Sequence, residues 1–169
     1  MRHAPDDLEG PYQLRPGEHC DELHLKSFVK TTGGKGLHVV VPFAPKQPWA
    51  AVRSFAKAIG EALVRHAPRE YTINLSKASR KGKIFIDYLR NAQGATAVAA
   101  YSTRALEGAP VSTPITWDEL GPDLRPDHYT VENLPRRLAS LKKDPWEGYL
   151  TSRQTLPDAP ESGSRRGKT

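Results

Sequence analysis

Apolar positions along this chain fall mostly into short runs closed off by proline or glycine, and in one long stretch they recur every three to four residues. The short runs predict strands and the recurrent stretch predicts a helix. A first strand is expected over residues 26–30 and a second over residues 37–41, joined by a glycine-rich connection, so the two form a hairpin with a long tip. Pro42, Pro45 and Pro48 then end the pairing. Pro48 suits the first turn of a helix, in which Trp49, Val52, Ala56, Ile59 and Leu63 form one core-facing stripe until Pro68. Gly60 inside it marks close approach of a neighbour.

Beyond Pro68, Tyr71-Thr72-Ile73-Asn74-Leu75 reads as a strand or a helical turn, and Ile84-Phe85-Ile86-Asp87-Tyr88 as a strand with Asp87 on the face of Phe85. Residues 96–101 predict a further strand, and residues 110–114 an extended segment. Thr116 and Glu119 have capping-box spacing around a short helix with Trp117. A last helix is expected over residues 131–141 with Leu134, Leu138 and Leu141 inside and Pro135 early enough to be tolerated, after which Trp146 docks an aromatic ring. Leu23 to Leu25 reads as the tail of a helix. The pattern as a whole predicts an α/β (α+β) domain with a mixed, largely antiparallel sheet and flanking helices. Residues 1–22 read as an irregular arm, residues 23–150 as the domain and residues 151–169 as a disordered basic tail.

A length of 169 residues is enough for one domain. The net charge of +6 favours a polyanionic partner. Cys20 is the only cysteine, which leaves no internal disulfide and no thiolate zinc site and points to a reducing compartment. With no apolar run long enough for a bilayer and no signal-like start, the expectation is a soluble cytoplasmic protein without a membrane partner.

Candidate chemistry concentrates in the hairpin tip, Lys30-Thr31-Thr32-Gly33-Gly34-Lys35-Gly36-Leu37-His38. Glycine reaches positive φ without strain and lets successive N–H groups converge, so the segment reads as a phosphate cradle. A plain glycine turn with solvated lysines fits the same spacing. It is not a Walker A loop, because Gly-Lys-Ser/Thr is absent and a strand follows. Lys77, Arg80, Lys81 and Lys83 make a mobile positive loop, or an ordinary surface turn. Asp87, on a strand otherwise suited to burial, needs either an arginine such as Arg90 or a metal ion. His66 reads as a charge at a helix C-terminus.

Taken together, residues 27–38, Leu75-Ser76-Lys77-Ala78, Ile86-Asp87-Tyr88-Leu89-Arg90-Asn91, Ala95-Thr96-Ala97-Val98-Ala99, Tyr101-Ser102-Thr103-Arg104, residues 108–114 and Trp117-Asp118-Glu119-Leu120 resemble the polymerase domain of bacterial ligase D, of the archaeo-eukaryotic primase superfamily. The resemblance covers roughly residues 22–150 and corresponds to the C-terminal portion of the primase-polymerase core. It implies template-dependent nucleotidyl transfer at DNA ends in non-homologous end joining, with Mg²⁺ or Mn²⁺, a nucleoside triphosphate and DNA ends as ligands, and Ku and a ligase module as partners. By the same resemblance Thr32, Gly33, Gly34, Lys35, Gly36, His38, Arg90 and Arg104 face the nucleotide. Lys77, Arg80, Lys81 and Lys83 face the DNA, and Asp87 is a catalytic metal-binding carboxylate in a nucleoid-associated protein. Thr32 stands where the family commonly has serine. The family's Asp-x-Asp pair falls at or before Met1, and two-metal transfer needs several carboxylates, so the alternative is a non-catalytic nucleotide- and DNA-end-binding module or a remnant.

Overall fold

The computed structural model describes residues 16–157. They divide into two compact units, the first built from residues up to 44 together with 96–154 and the second from residues 45–95 together with the segment after 154. In chain order the first unit holds helix α1 (Pro16–Glu22) and strands β1 (Phe28–Thr31) and β2 (Leu37–Val40). Helix α2 (Trp49–His66) and strands β3 (Tyr71–Thr72) and β4 (Ile84–Phe85) belong to the second. Strand β5 (Pro114–Ile115) and helix α3 (Leu134–Ser140) return to the first. The fold is mixed α and β, as the apolar pattern predicts.

The first unit is organised on a three-stranded sheet of order β2-β1-β5, antiparallel throughout. The hairpin register places Phe28 opposite Val40 and Lys30 opposite His38, and β5 sets Pro114 against Lys30 on the other side. Every residue of β1 is buried, so both faces of this central strand are covered. One covering is aromatic: Phe28 meets Tyr149 edge-on at 5.4 Å and Trp146 at 5.9 Å. Side chains also satisfy carbonyls along β1 and its approach. Trp146 Nε1 donates to Val29 O at 2.9 Å, Trp117 Nε1 to Ser27 O at 3.3 Å and Ser112 Oγ to Thr31 O at 2.9 Å.

Past β5 the expected capping box forms, with Thr116 N–H donating to the Glu119 carboxylate at 2.7 Å around a 3₁₀ turn, Trp117–Glu119. Glu119 in turn pairs with Arg137 of α3 through both guanidinium NH groups. Arg137 also donates to Pro114 O at 3.2 Å, and its guanidinium carbon lies 4.6 Å from the centre of the Tyr129 ring. One guanidinium therefore ties α3, the 3₁₀ turn and the end of β5 together.

Three expectations for this unit are corrected. The arm thought irregular to residue 22 carries α1, with Gly17 placed where a Cβ would lie 2.6 Å from the Trp117 ring; residues 1–15 lie outside the described part. The strand expected over residues 96–101 does not form. Tyr101 adopts φ 62, so its N–H reaches Ser112 O only at a bend, and regular pairing stops there. The supposed tail is ordered as far as Gln154, whose side-chain amide donates to Lys26 O at 2.9 Å and Pro42 O at 3.0 Å. Residues 158–169 are not described.

In the second unit Pro48 caps α2 from just outside the helix, with extended backbone. Phe55, Gly60 and Leu63 are its buried positions, and a Cβ on Gly60 would meet Ile73 at 2.9 Å. Trp49, expected in the core stripe, is 55% exposed, because it occupies the first helical position, where the stripe begins. Strands β3 and β4 pair in parallel. Pairing ends at Phe85, so the expected strand over residues 84–88 is two residues long and Asp87 lies beyond it. No described helix is long and apolar enough to cross a membrane.

Candidate nucleotide-binding loop

The tip between β1 and β2 is closed on itself by Thr32. Its N–H donates to Gly36 O at 3.1 Å, its hydroxyl donates to the same carbonyl at 2.6 Å, and the Gly36 N–H approaches the hydroxyl at 3.3 Å. Among the described residues no protein acceptor takes the Gly34 or Lys35 N–H, and the Lys35 side chain is exposed. The Gly33 N–H differs, since it donates to Pro126 O at 2.9 Å and anchors the loop to the later chain. Of the three glycines that the resemblance assigns to the nucleotide, Gly33 and Gly36 direct their N–H groups to protein acceptors, and only the Gly34 N–H has none among the described residues. The Thr32 hydroxyl is likewise occupied in shaping the bend.

Gly33 has φ 63, and a Cβ there would lie 2.8 Å from Arg104 Cγ and 3.2 Å from Pro110 O. The Arg104 side chain therefore runs against the loop, which brings together two sequence-predicted site elements 71 positions apart. Replacing Gly33 by alanine is expected to cost about 1 to 3 kcal/mol from left-handed strain and crowding. Gly36→Ala, where nothing lies within 4 Å, should stay within about 0.5 kcal/mol. Urea melts of the two variants make the comparison.

His38 follows on β2, half-buried and directly across from Lys30. Lys30 opens the segment read as a cradle, but it is not among the residues that the resemblance assigns to the nucleotide. It is in fact 4% exposed, with Nζ hydrogen-bonded to Val98 O at 2.5 Å and Ser112 Oγ at 2.8 Å. Burial, and secondarily the charge of Arg104, lowers its pKa to about 8. No sequence signal beyond its place in the glycine segment marks it.

The remaining candidates lie in the second unit. Asp87 accepts the Leu89 N–H at 3.1 Å and pairs with Arg90 Nε at 3.3 Å, both at the surface. The arginine partner is thus the one observed. Among the described residues no group of three or more His, Cys, Asp or Glu side chains gathers to hold a metal ion, so the residues present do not fit a two-ion centre. The basic stretch expected as a loose loop forms a 3₁₀ turn, Lys77–Arg80. Arg80 caps it by donating to Asn74 O and Leu75 O, with its guanidinium carbon 3.6 Å from the centre of the Phe85 ring. Lys83 donates to Pro68 O at 2.6 Å. Lys77 and Lys81 stay exposed.

Residues 14–146 match the family described as the LigD primase-polymerase domain. The multifunctional non-homologous end joining protein LigD of Pseudomonas aeruginosa is 43% identical over 148 residues, covering 87% of this chain and 18% of that protein. LigD of Mycolicibacterium smegmatis is 32% identical over 147 residues, covering 82% and 19%. The polymerase domain of Mycobacterium tuberculosis ligase D, solved in complex with DNA, superposes with a TM-score of 0.73 at 28% identity over 82% of this chain and 48% of that one. The fold is therefore that of a primase-polymerase domain. Within that class, the chain belongs to the LigD family. It spans less than a fifth of the length of these two curated relatives.

Proposed function

We propose that this chain serves non-homologous end joining by holding a nucleoside triphosphate at a DNA end, the step that precedes nucleotidyl transfer in a LigD-type polymerase domain. The observation that carries the reading is the closed bend at Thr32, which leaves the Gly34 and Lys35 N–H groups without a protein acceptor among the described residues, with the Lys35 side chain exposed and Arg104 packed against Gly33. Converging N–H groups and cations are what a polyphosphate requires. His38 donates to the same phosphates in this reading. Lys77 and Lys81, exposed on the 3₁₀ turn and just after it, contact the DNA backbone, whereas Arg80 and Lys83 shape that segment.

Transfer itself asks for Mg²⁺ or Mn²⁺ held by several carboxylates. By the resemblance Asp87 is one such carboxylate, but in this structure it is paired with Arg90. Because the described residues offer no second and third ligand, the chain alone holds rather than transfers. Ku and a ligase module are the partners proposed for it in the cell.

The test is thermal. Saturating ATP at about 100 times its Kd should add about 2.7 kcal/mol of stability. Lys35→Ala should weaken binding at least tenfold, about 1.4 kcal/mol, and remove most of the rise in melting temperature. An unchanged melting temperature with ATP would sink the reading. Primer extension with Mn²⁺ by the isolated chain would overturn the narrower claim that it only holds. Affinity for a DNA end should fall steeply with salt.

A further inference from the structure

Lys30 occupies an unusual setting for an ammonium group. It sits on the central strand, is almost wholly buried, and donates to two neutral acceptors, Val98 O and Ser112 Oγ. Among the described residues it has no ion pair with a carboxylate. The titratable groups on the elements around it are His38 on β2, Lys35 in the loop, and Tyr101 and Arg104 on the segment that also carries Val98. β5 contributes none. Asp144 and Glu147 flank Trp146 over the other end of β1, and neither pairs with Lys30. The charge felt most strongly is that of Arg104, which has the same sign. Burying a cation without a counter-charge is unfavourable, and placing a second cation nearby makes it more so.

Such an arrangement is balanced when an anion arrives. The hydrogen-bond chain runs in that direction: Lys30 Nζ binds Ser112 Oγ, which donates to Thr31 O, the carbonyl immediately before the Thr32 bend. We propose that Lys30 is a positioning residue for the triphosphate, fixing Val98 and Ser112 behind the glycine loop and supplying with Arg104 the buried positive charge that a polyphosphate at the loop neutralises. This rests on the reading of the loop as a triphosphate site.

A consequence separates charge from mere packing. Near the pH at which Lys30 is partly neutral in the free protein, an arriving anion favours the charged form, so binding takes up a proton. ATP contributes nothing of its own at about pH 8.5, because its phosphates are already ionised. Calorimetric titration of the whole chain with metal-free ATP at that pH, in two buffers of different protonation enthalpy, reads the uptake directly. The wild-type chain should take up protons. Lys30→Met should abolish the uptake and weaken binding at least tenfold, and Lys30→Arg should abolish the uptake while keeping affinity within about threefold.

ATP binding by the wild-type chain without proton uptake overturns the proposal and leaves the triphosphate site standing. Uptake that persists in Lys30→Arg also overturns it, and this variant decides the matter if Lys30→Met does not fold. Failure of the wild-type chain to bind ATP at all removes the site, and the proposal with it.

Discussion

Phe28→Ala is expected to destabilise the first unit by about 3 to 5 kcal/mol, the range for removing a buried aromatic ring from a packed core. Phe28 is 4% exposed and is the ring that Tyr149 and Trp146 both pack against. Trp146 and Tyr149 also touch each other, with centroids 4.7 Å apart, so the cavity left by alanine opens beneath a joined pair of rings rather than beside one mobile side chain. Collapse into it is opposed by the Trp146 indole, whose N–H is held by Val29 O. Urea unfolding followed by tryptophan fluorescence reads the loss. Val39→Ala, on the exposed side of the same hairpin, provides the contrast, with an effect near 0.5 kcal/mol. A Phe28→Ala loss below about 1 kcal/mol would mean that the aromatic cluster does not support β1.

The second large effect concerns Arg137. Its side chain is 12% exposed and that of Glu119 is 29%, so removing the guanidinium strands a mostly dehydrated carboxylate. Arg137→Met should cost about 3 kcal/mol at neutral pH. Burial by itself would raise the Glu119 pKa, yet hydrogen bonds from Arg137 and the Thr116 backbone outweigh it and hold the carboxyl below its ordinary value. A depressed carboxyl pKa contributes stability that is present above the unfolded-state value and lost as pH falls through the folded-state value. The variant's deficit should therefore be largest at neutral pH and shrink on acidification, as the carboxyl takes a proton. Urea midpoints measured from neutral pH down through the acid range check this, and a deficit that stays constant would show that Arg137 acts through packing on Tyr129 alone.

The hairpin, α2 and the capping box were legible because each rests on neighbours in sequence: alternation, a three-to-four repeat, and a Thr-Glu pair three apart. The glycine bend was legible as a bend, and the family resemblance correctly located its fold. What escaped depended on distant partners. Gly17 signals a loop until Trp117 is packed over it, and residues 96–101 look like a strand until Tyr101 turns to meet Ser112. Lys30 belongs to the same class, since its burial depends on Val98 and Ser112, some 70 to 80 positions later. Asp87 was the reverse case, for its arginine lies three residues on and formed the local pair that spacing alone allowed.

The carbonyls of β1 and the residues just before it are satisfied from positions 112, 117, 146 and 154, and the glycine bend is pinned from position 126. During synthesis the hairpin therefore leaves the ribosome long before the groups that finish it. Its central strand waits, incompletely bonded, until the last of these segments emerges, and closure over such separations makes this unit a slow and late folder. A nascent chain stalled after the hairpin would expose the glycine loop without its shape, a state suited to capture by chaperones.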